Sequence, residues 1–397
     1  MLTVSVRIDD RFGKHRKGTT KKMRRYHKTA IAIVAAVSAA IIVAASLIVW
    51  YVAVPHYERS SEPAAYRIIY SAMLESNKGG VLTIDRKGGI IADERVPELQ
   101  DVSVYSYENG KFIAGGQRSN MHLIIDKDGA MQSFHLLDNP NYSGVMSIGP
   151  YGDGVVAVMN GNDSPEDDSY LNLLVVQDGA GKVTERKILK IYTEGQASDG
   201  RHLFITGHEL TLSSNRYQGK IIRYGLSDRS VKEQVTDDAL LYLRPVVWNN
   251  HVLVAGTDMN GTPRQIDMFD ANTLERTDST TVSSDFQTLV IVAGKPWAVG
   301  TRQICPVIEQ PFAIGNQCIS MPTGSSPYVS QAIVVDTRIV MLVRESLNPA
   351  VKVPARGVKQ VGIIADADTT TGKVSTTPAL IPTNRSSDSI LVVPVAP

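Results

Sequence analysis

A short signature recurs along this chain and limits what it can become: a turn residue followed at once by a tight apolar strand. It reads Asn109-Gly110-Lys111-Phe112-Ile113-Ala114, then Asp153-Gly154-Val155-Val156-Ala157-Val158, then Asp199-Gly200-Arg201-His202-Leu203-Phe204. It returns as Asn249-Asn250-His251-Val252-Leu253-Val254, Ala293-Gly294-Lys295-Pro296-Trp297-Ala298 and Asp336-Thr337-Arg338-Ile339-Val340-Met341. The turn positions 110, 154, 200, 250, 294 and 337 lie 44, 46, 50, 44 and 43 residues apart. Arg67-Ile68-Ile69-Tyr70 fits one step earlier and makes seven copies. Short strands with turn-rich joints at this period predict small antiparallel sheets, not stacked helices.

Most copies carry a second landmark, a strand running into an acidic or polar turn and then a further strand. Val81-Leu82-Thr83-Ile84-Asp85 with Gly88 is one, His122-Leu123-Ile124-Ile125-Asp126 with Gly129 another, and Ile363-Ile364-Ala365-Asp366 with Gly372 a late one. Asp and Gly suit tight turns between antiparallel strands, so each copy supplies four strands. The pattern resembles the broad class of repeat β-propellers that includes quinoprotein-like repeats, across residues 66 to 396. That resemblance implies an all-β fold: a seven-bladed β-propeller with four-stranded blades. Expected blades are 66–96 closed by 390–395, then 101–138, 145–189, 195–235, 242–282, 286–321 and 327–382. The first copy has no innermost strand before Tyr66, and Ile390-Leu391-Val392-Val393-Pro394-Val395 is an apolar run without a copy of its own. Supplying the missing strand would close the ring and remove its open edges. Family activities do not carry over, because the Trp-Asp dipeptides of one large propeller class are missing and no quinone-site pattern occurs.

Ahead of the repeats, Thr29 to Val54 is a run of 26 residues without Asp, Glu, Lys, Arg or His. As a helix rising ~1.5 Å per residue it is long enough for a hydrocarbon core of roughly 30 Å, so 29–54 is expected to be a transmembrane helix. Residues 1–28 carry ten Lys or Arg against Asp9 and Asp10, a net +8, whereas the whole chain carries +1. Basic residues beside a span stay in the cytoplasm, which puts the N-terminus inside and the rest in an extracytoplasmic space. Tyr26, Trp50 and Tyr51 sit where aromatic rings favour the headgroup level. A cleaved secretory signal is the competing reading; its apolar region is usually shorter, and no small-x-small site follows. Lipid accounts for the basic tail better than nucleic acid does. Pro55 to Ala65 reads as a linker, and an Ala/Val-rich anchor with so few cysteines suits a bacterium.

Only two cysteines occur, Cys305 and Cys318. In an oxidising compartment they read as one disulfide, the alternative being two buried thiols. No His or further Cys supports a metal site there at ligand spacing.

Chemistry is expected on the face where the second strand of each blade turns into the third. Three such loops are long: Gly161 to Tyr170 with Asp163, Asp167 and Asp168; His208 to Gly219 with Arg216 and Tyr217; and Glu345 to Gln360 with Lys352, Arg356 and Lys359. Long loops on a rigid scaffold are where function concentrates. The acidic loop offers hard oxygen ligands but matches no calcium-loop spacing, so it reads as a solvated loop. The basic loop suits phosphate, sugar acids or an anionic surface, with a solvated surface as the plainer account. There is no Gly-x-Ser-x-Gly elbow and no His-Glu-x-x-His site; Gly179-Ala180-Gly181-Lys182 lacks the rest of a phosphate loop. No cofactor, metal or catalytic residue is therefore assigned. The expected role is a membrane-anchored binding or scaffolding module of the cell envelope, its partner an envelope protein or a glycan. The alternative is an anchored propeller enzyme acting on carbohydrate or peptide.

Overall fold

The computed structural model describes residues 34–46, 57–75, 77–137, 142–236, 239–322, 327–345 and 357–395. They fall into two units, one within Met1–His56 and one within Tyr57–Pro397. In the first, residues 34–46 are helical, and Val34, Val37, Ile41, Ile42 and Val43 are exposed. Among the described residues no helix is long and apolar enough to cross a membrane. Both ends of the expected span, the basic tail, Tyr26, Trp50 and Tyr51 lie outside the described residues.

The larger unit is all antiparallel β, in six sheets. Its hairpins form where the chain tolerates positive φ at two successive residues, whose twist matches that of the flanking strands. Asn109 and Gly110 (52° and 78°), Asn249 and Asn250 (50° and 63°), and Ala293 and Gly294 (48° and 74°) are such pairs. They are closed by Glu108 opposite Lys111, Trp248 opposite His251 and Val292 opposite Lys295. In the next copy the turn sits one residue earlier than expected. Gly152 takes the positive φ, while Gly154 already pairs with Tyr151.

Five sheets each hold the strands of one repeat copy. The third and fourth copies share a nine-stranded sheet, joined through the single pair Ser169 and Thr211. Apolar side chains gather in seven clusters, each between the strands of consecutive copies. One of them packs Tyr66, Ile68 and Leu82 of the first copy on Ile333, Val340 and Leu342 of the seventh, so the last copy lies against the first. This is propeller packing, with sheets stacked face to face around an axis.

The C-terminal strand Ser389–Pro394 pairs antiparallel with Tyr66–Ser71, residue for residue. Its alternation serves both neighbours: Ile390 and Val392 enter the cluster shared with the seventh copy, Leu391 and Val393 the one shared with the second. Gln331 locks it further, donating from Nε2 to the Val392 carbonyl at 2.9 Å and accepting from the Val392 amide at 2.5 Å. Ser389 donates to Asp101 at 2.6 Å.

In the sixth copy Cys305 and Cys318 form a disulfide. Cys305 lies on Gln303–Ile308, which pairs with Ala313–Ile314 at one end and Ile319–Ser320 at the other. The bridge staples this divided outer strand to the sheet.

Two tests follow from this architecture. Deleting residues 389–397 removes four buried side chains, each contributing roughly 1.5–3 kcal/mol, against a typical net stability of about 5–15 kcal/mol. The truncated protein is expected to aggregate and lose its cooperative melt; a monomer as stable as the parent would refute the closure. Cys305→Ser is expected to lower stability by about 3 kcal/mol, read from the urea midpoint, while the sheets stay folded. An unchanged midpoint would show that the bridge stabilises nothing.

Candidate functional site

The leading strands of the copies share one irregularity. Each carries an extra residue against its partner strand, between Val102 and Val104, Val145 and Ser147, Thr193 and Gly195, Phe286 and Thr288, and Val329 and Gln331. In the fifth copy the strand is broken instead, into Leu241–Tyr242 and Val246–Trp248, with Arg244 in the gap. A bulge bends its strand and re-aims one side chain. Here it turns Ser103, Met146, Glu194, Gln287 and Ser330 toward a common cavity of about 260 Å³, which Arg244 also lines.

Most polar groups of this cavity are already engaged. Gln196 accepts from Ser147 at 2.8 Å and donates to the Val156 carbonyl at 3.0 Å. Gln287 donates to its neighbour's carbonyl, and Gln331 is held by Val392. Glu194 differs. Among the described residues its carboxylate forms no hydrogen bond and no ion pair, and burial pushes its pKa up to about 7.

Beneath it, Tyr105 reaches across the channel. Its hydroxyl donates to the Ala332 carbonyl and accepts from the Ala332 amide, both at 3.1 Å. The Arg244 guanidinium lies 5.0 Å from the centre of the same ring. These two side chains also line a second cavity, of about 220 Å³, together with Tyr107 and Glu108. Glu108 is raised by burial and partly restored by Arg244. Gly195 lets the fourth and fifth copies meet closely, since a Cβ there would fall 2.5 Å from the Arg244 Cα.

Beside Glu194, a row of rings runs outward: Tyr192 lies 4.9 Å from His208, His208 5.4 Å from Tyr217, and Tyr192 5.0 Å from Tyr170. Burial lowers the pKa of His208 to about 4, and that of His122 likewise.

The residues expected from the sequence are placed differently from a set of loose loops. Strands His202–Thr211 and Arg216–Gly225 extend through most of 208–219, so Arg216 and Tyr217 stand on a strand and only 212–215 forms a turn. Exposed strands need no apolar alternation, which is why this hairpin reads as a loop. Asp163 likewise sits on the two-residue strand Asp163–Ser164, opposite Tyr170. Asp167 is lowered by its pairing with Lys190 (2.8 Å) and by Ser164. Asp168 is lowered by the hydroxyl and amide of Ser213, at 2.6 and 2.7 Å. Asp168 thereby joins the hairpins of the third and fourth copies, Asp167 pairs within the third, and the carboxylates do not converge. Among the described residues no three metal-type side chains gather. Lys359 stands on Val358–Asp368, donates to Ser387 at 3.2 Å and is lowered by burial. Lys352 and Arg356 lie outside the described residues.

The cavity residues carry a signal in the sequence. Positions 103, 146, 194, 244, 287 and 330 recur at 43, 48, 50, 43 and 43, always six to eight residues ahead of the repeated turn.

No protein-family model matches the chain, and no curated protein sequence matches it. Solved structures do. A candidate 6-phosphogluconolactonase from Bacteroides fragilis superposes with a TM-score of 0.52 at 9% identity, covering 85% of this chain and all of that one. A functionally unknown protein from Desulfotomaculum acetoxidans gives 0.51 at 10% identity, covering 82% and 98%. BamB from Moraxella catarrhalis gives 0.44 at 14%, covering 82% and 95%. Identities this low speak for the fold alone.

The site generates a prediction in pH. Glu194 is raised in the folded state, so its contribution to stability is complete below about 4.5 and disappears as pH rises through about 7. Compared with Glu194→Gln, the wild-type melting temperature should fall progressively behind between those values and stay level above. His122 and His208 act oppositely, their stabilisation being lost as pH falls from about 6.5 through about 4. Taking the difference between the two proteins removes their effect. A pH-independent difference would mean that Glu194 is not shielded in the folded protein.

Proposed function

We propose that this chain is an extracytoplasmic, seven-bladed β-propeller tethered to the cell membrane by one N-terminal helix, and that it serves as a binding or scaffolding module of the envelope. The count of seven rests on treating the nine-stranded sheet as two blades, since a single residue pair joins its halves and each half has its own apolar interfaces. The tether rests on the uncharged 26-residue run behind a +8 tail, together with the uncovered Val34, Ile41 and Ile42 of the helical segment. The partner would be an envelope protein or a glycan held at the channel mouth.

The observation that carries the binding reading is the cavity itself. Leading strands of six copies converge on it, and it keeps one shielded carboxylate without a partner among the described residues. An acid–base enzyme of the glycosidase type needs two carboxyl groups about 5–9.5 Å apart. Here Glu194 and Glu108 line different cavities, with Tyr105 and Arg244 bordering both.

Topology is open to direct measurement. With an N-terminal tag on the full chain, protease added to intact bacterial cells should digest residues beyond 66 and leave the tag on a membrane-bound stub. Protection of the propeller in intact cells, with digestion only after lysis, would overturn the address. Loss of the tag from the mature protein would replace the tether by a cleaved signal.

A further inference from the structure

We propose that the channel mouth binds a primary ammonium group on an alkyl stem, with Glu194 as its counter-ion. The inference starts from how this protein treats its other shielded acids. Asp93 is paired with Arg385 at 2.6 Å, and Asp366 with Arg338 at 2.7 Å. Asp267 accepts from Tyr242 at 2.7 Å, Asp101 from Ser389 at 2.6 Å, and Asp85 from Ser60 at 2.5 Å. Buried polar groups are normally satisfied in this way, and an acid left without a partner in a cavity is a mark of a site. Glu194, part-exposed at the cavity wall, is such an acid among the described residues.

The nearest cation in the cavity does not serve it. Arg244 lies over Tyr105, and its charge acts on Glu108 at the other cavity. A guest cation therefore meets a carboxylate that has no ion-pair partner among the described residues. The side-chain amides of Gln196, Gln287 and Gln331, which line the same cavity, already have partners. Val104, Ile148, Leu243 and Val329 supply apolar surface for a stem. Three N–H donors suit free carboxylate oxygens. A free alkylamine and a lysine side chain present the same chemistry here.

The proposal deepens the binding reading and depends on it only for the location of the site. It requires neither the tether nor the cellular address, so a failed topology experiment leaves it standing, and its own failure leaves the topology untouched.

Calorimetric titration of the detergent-solubilised full chain tests it. The probes are butylammonium and Nα-acetyl-lysine methylamide, with butyrate and methyl glucoside as controls. Wild type should bind the cationic probes and neither control. Glu194→Gln, close to isosteric, should weaken binding roughly tenfold to a hundredfold, the weight of a charge-assisted contact. Leu243→Ala, which trims the apolar lining, should weaken it less while keeping a cooperative melt, and provides a second reading should Glu194→Gln fold poorly. Tighter binding of the lysine probe supports the site with a protein partner as its source; tighter butylammonium binding supports it with a small amine. Binding of methyl glucoside as strong as that of the amines, unchanged affinity in Glu194→Gln, or no binding of either cation would overturn it.

Discussion

Pairing of Ser389–Pro394 with Tyr66–Ser71 is the contact on which the remaining geometry depends. A propeller has no single core; its apolar surface is divided among interfaces between sheets, and each interface is sound only if both neighbours are in place. The tail strand belongs to two of them at once, because period-two alternation sends Ile390 and Val392 one way and Leu391 and Val393 the other. It also gives the edge of Tyr66–Ser71 a partner, so that no backbone donors and acceptors are left exposed there. Polar contacts fix its register: a one-residue slip would carry Val392 away from Gln331 and Ser389 away from Asp101.

Closure by the tail also explains an asymmetry of the channel. The strand Ser389–Pro394 pairs in unbroken register, whereas leading strands elsewhere are bulged or interrupted. A bulge at this position does two things. It bends the strand, and it points one side chain toward the cavity. The residue types at those positions differ widely: serine, methionine, glutamate, glutamine and, in the broken strand, arginine. Nothing about packing asks for this diversity. The backbone device repeats while its chemistry varies, as expected where a scaffold supports a site.

What the sequence disclosed follows from how each feature is enforced. Hairpin turns were legible because positive φ restricts composition, as at Asn109-Gly110 and Ala293-Gly294. The terminal strand was legible because an apolar run outside the repeat has nowhere else to be buried. Extensions of the strands around Thr211 and Arg216 were not legible, since half-exposed pairing above the core leaves the side chains free to be polar. Bulges leave no compositional trace, because one inserted residue alters register and not residue type. For that reason the loops drew attention while Glu194 and Arg244 did not. In the structure Asp168 fastens two hairpins together and Asp167 is paired within the third copy.

Gly195 ties these threads together. With no Cβ, it lets the Arg244 backbone press directly against the strand that carries Glu194. Two opposite charges are thus placed on adjoining segments without forming an ion pair: the guanidinium runs to Tyr105, and the carboxylate stays at the mouth. An ion pair between them would satisfy both groups and fill the opening with their own side chains. Burying the unpaired carboxylate has a cost, visible in the raised pKa of Glu194, and folding alone gains nothing from it. Elsewhere Asp93, Asp366, Asp267, Asp101 and Asp85 each have an arginine, tyrosine or serine as partner. A guest that brings its own positive charge is the kind of partner for which such a vacancy is useful, and Tyr105 beneath it, clamped to Ala332, gives that guest a floor.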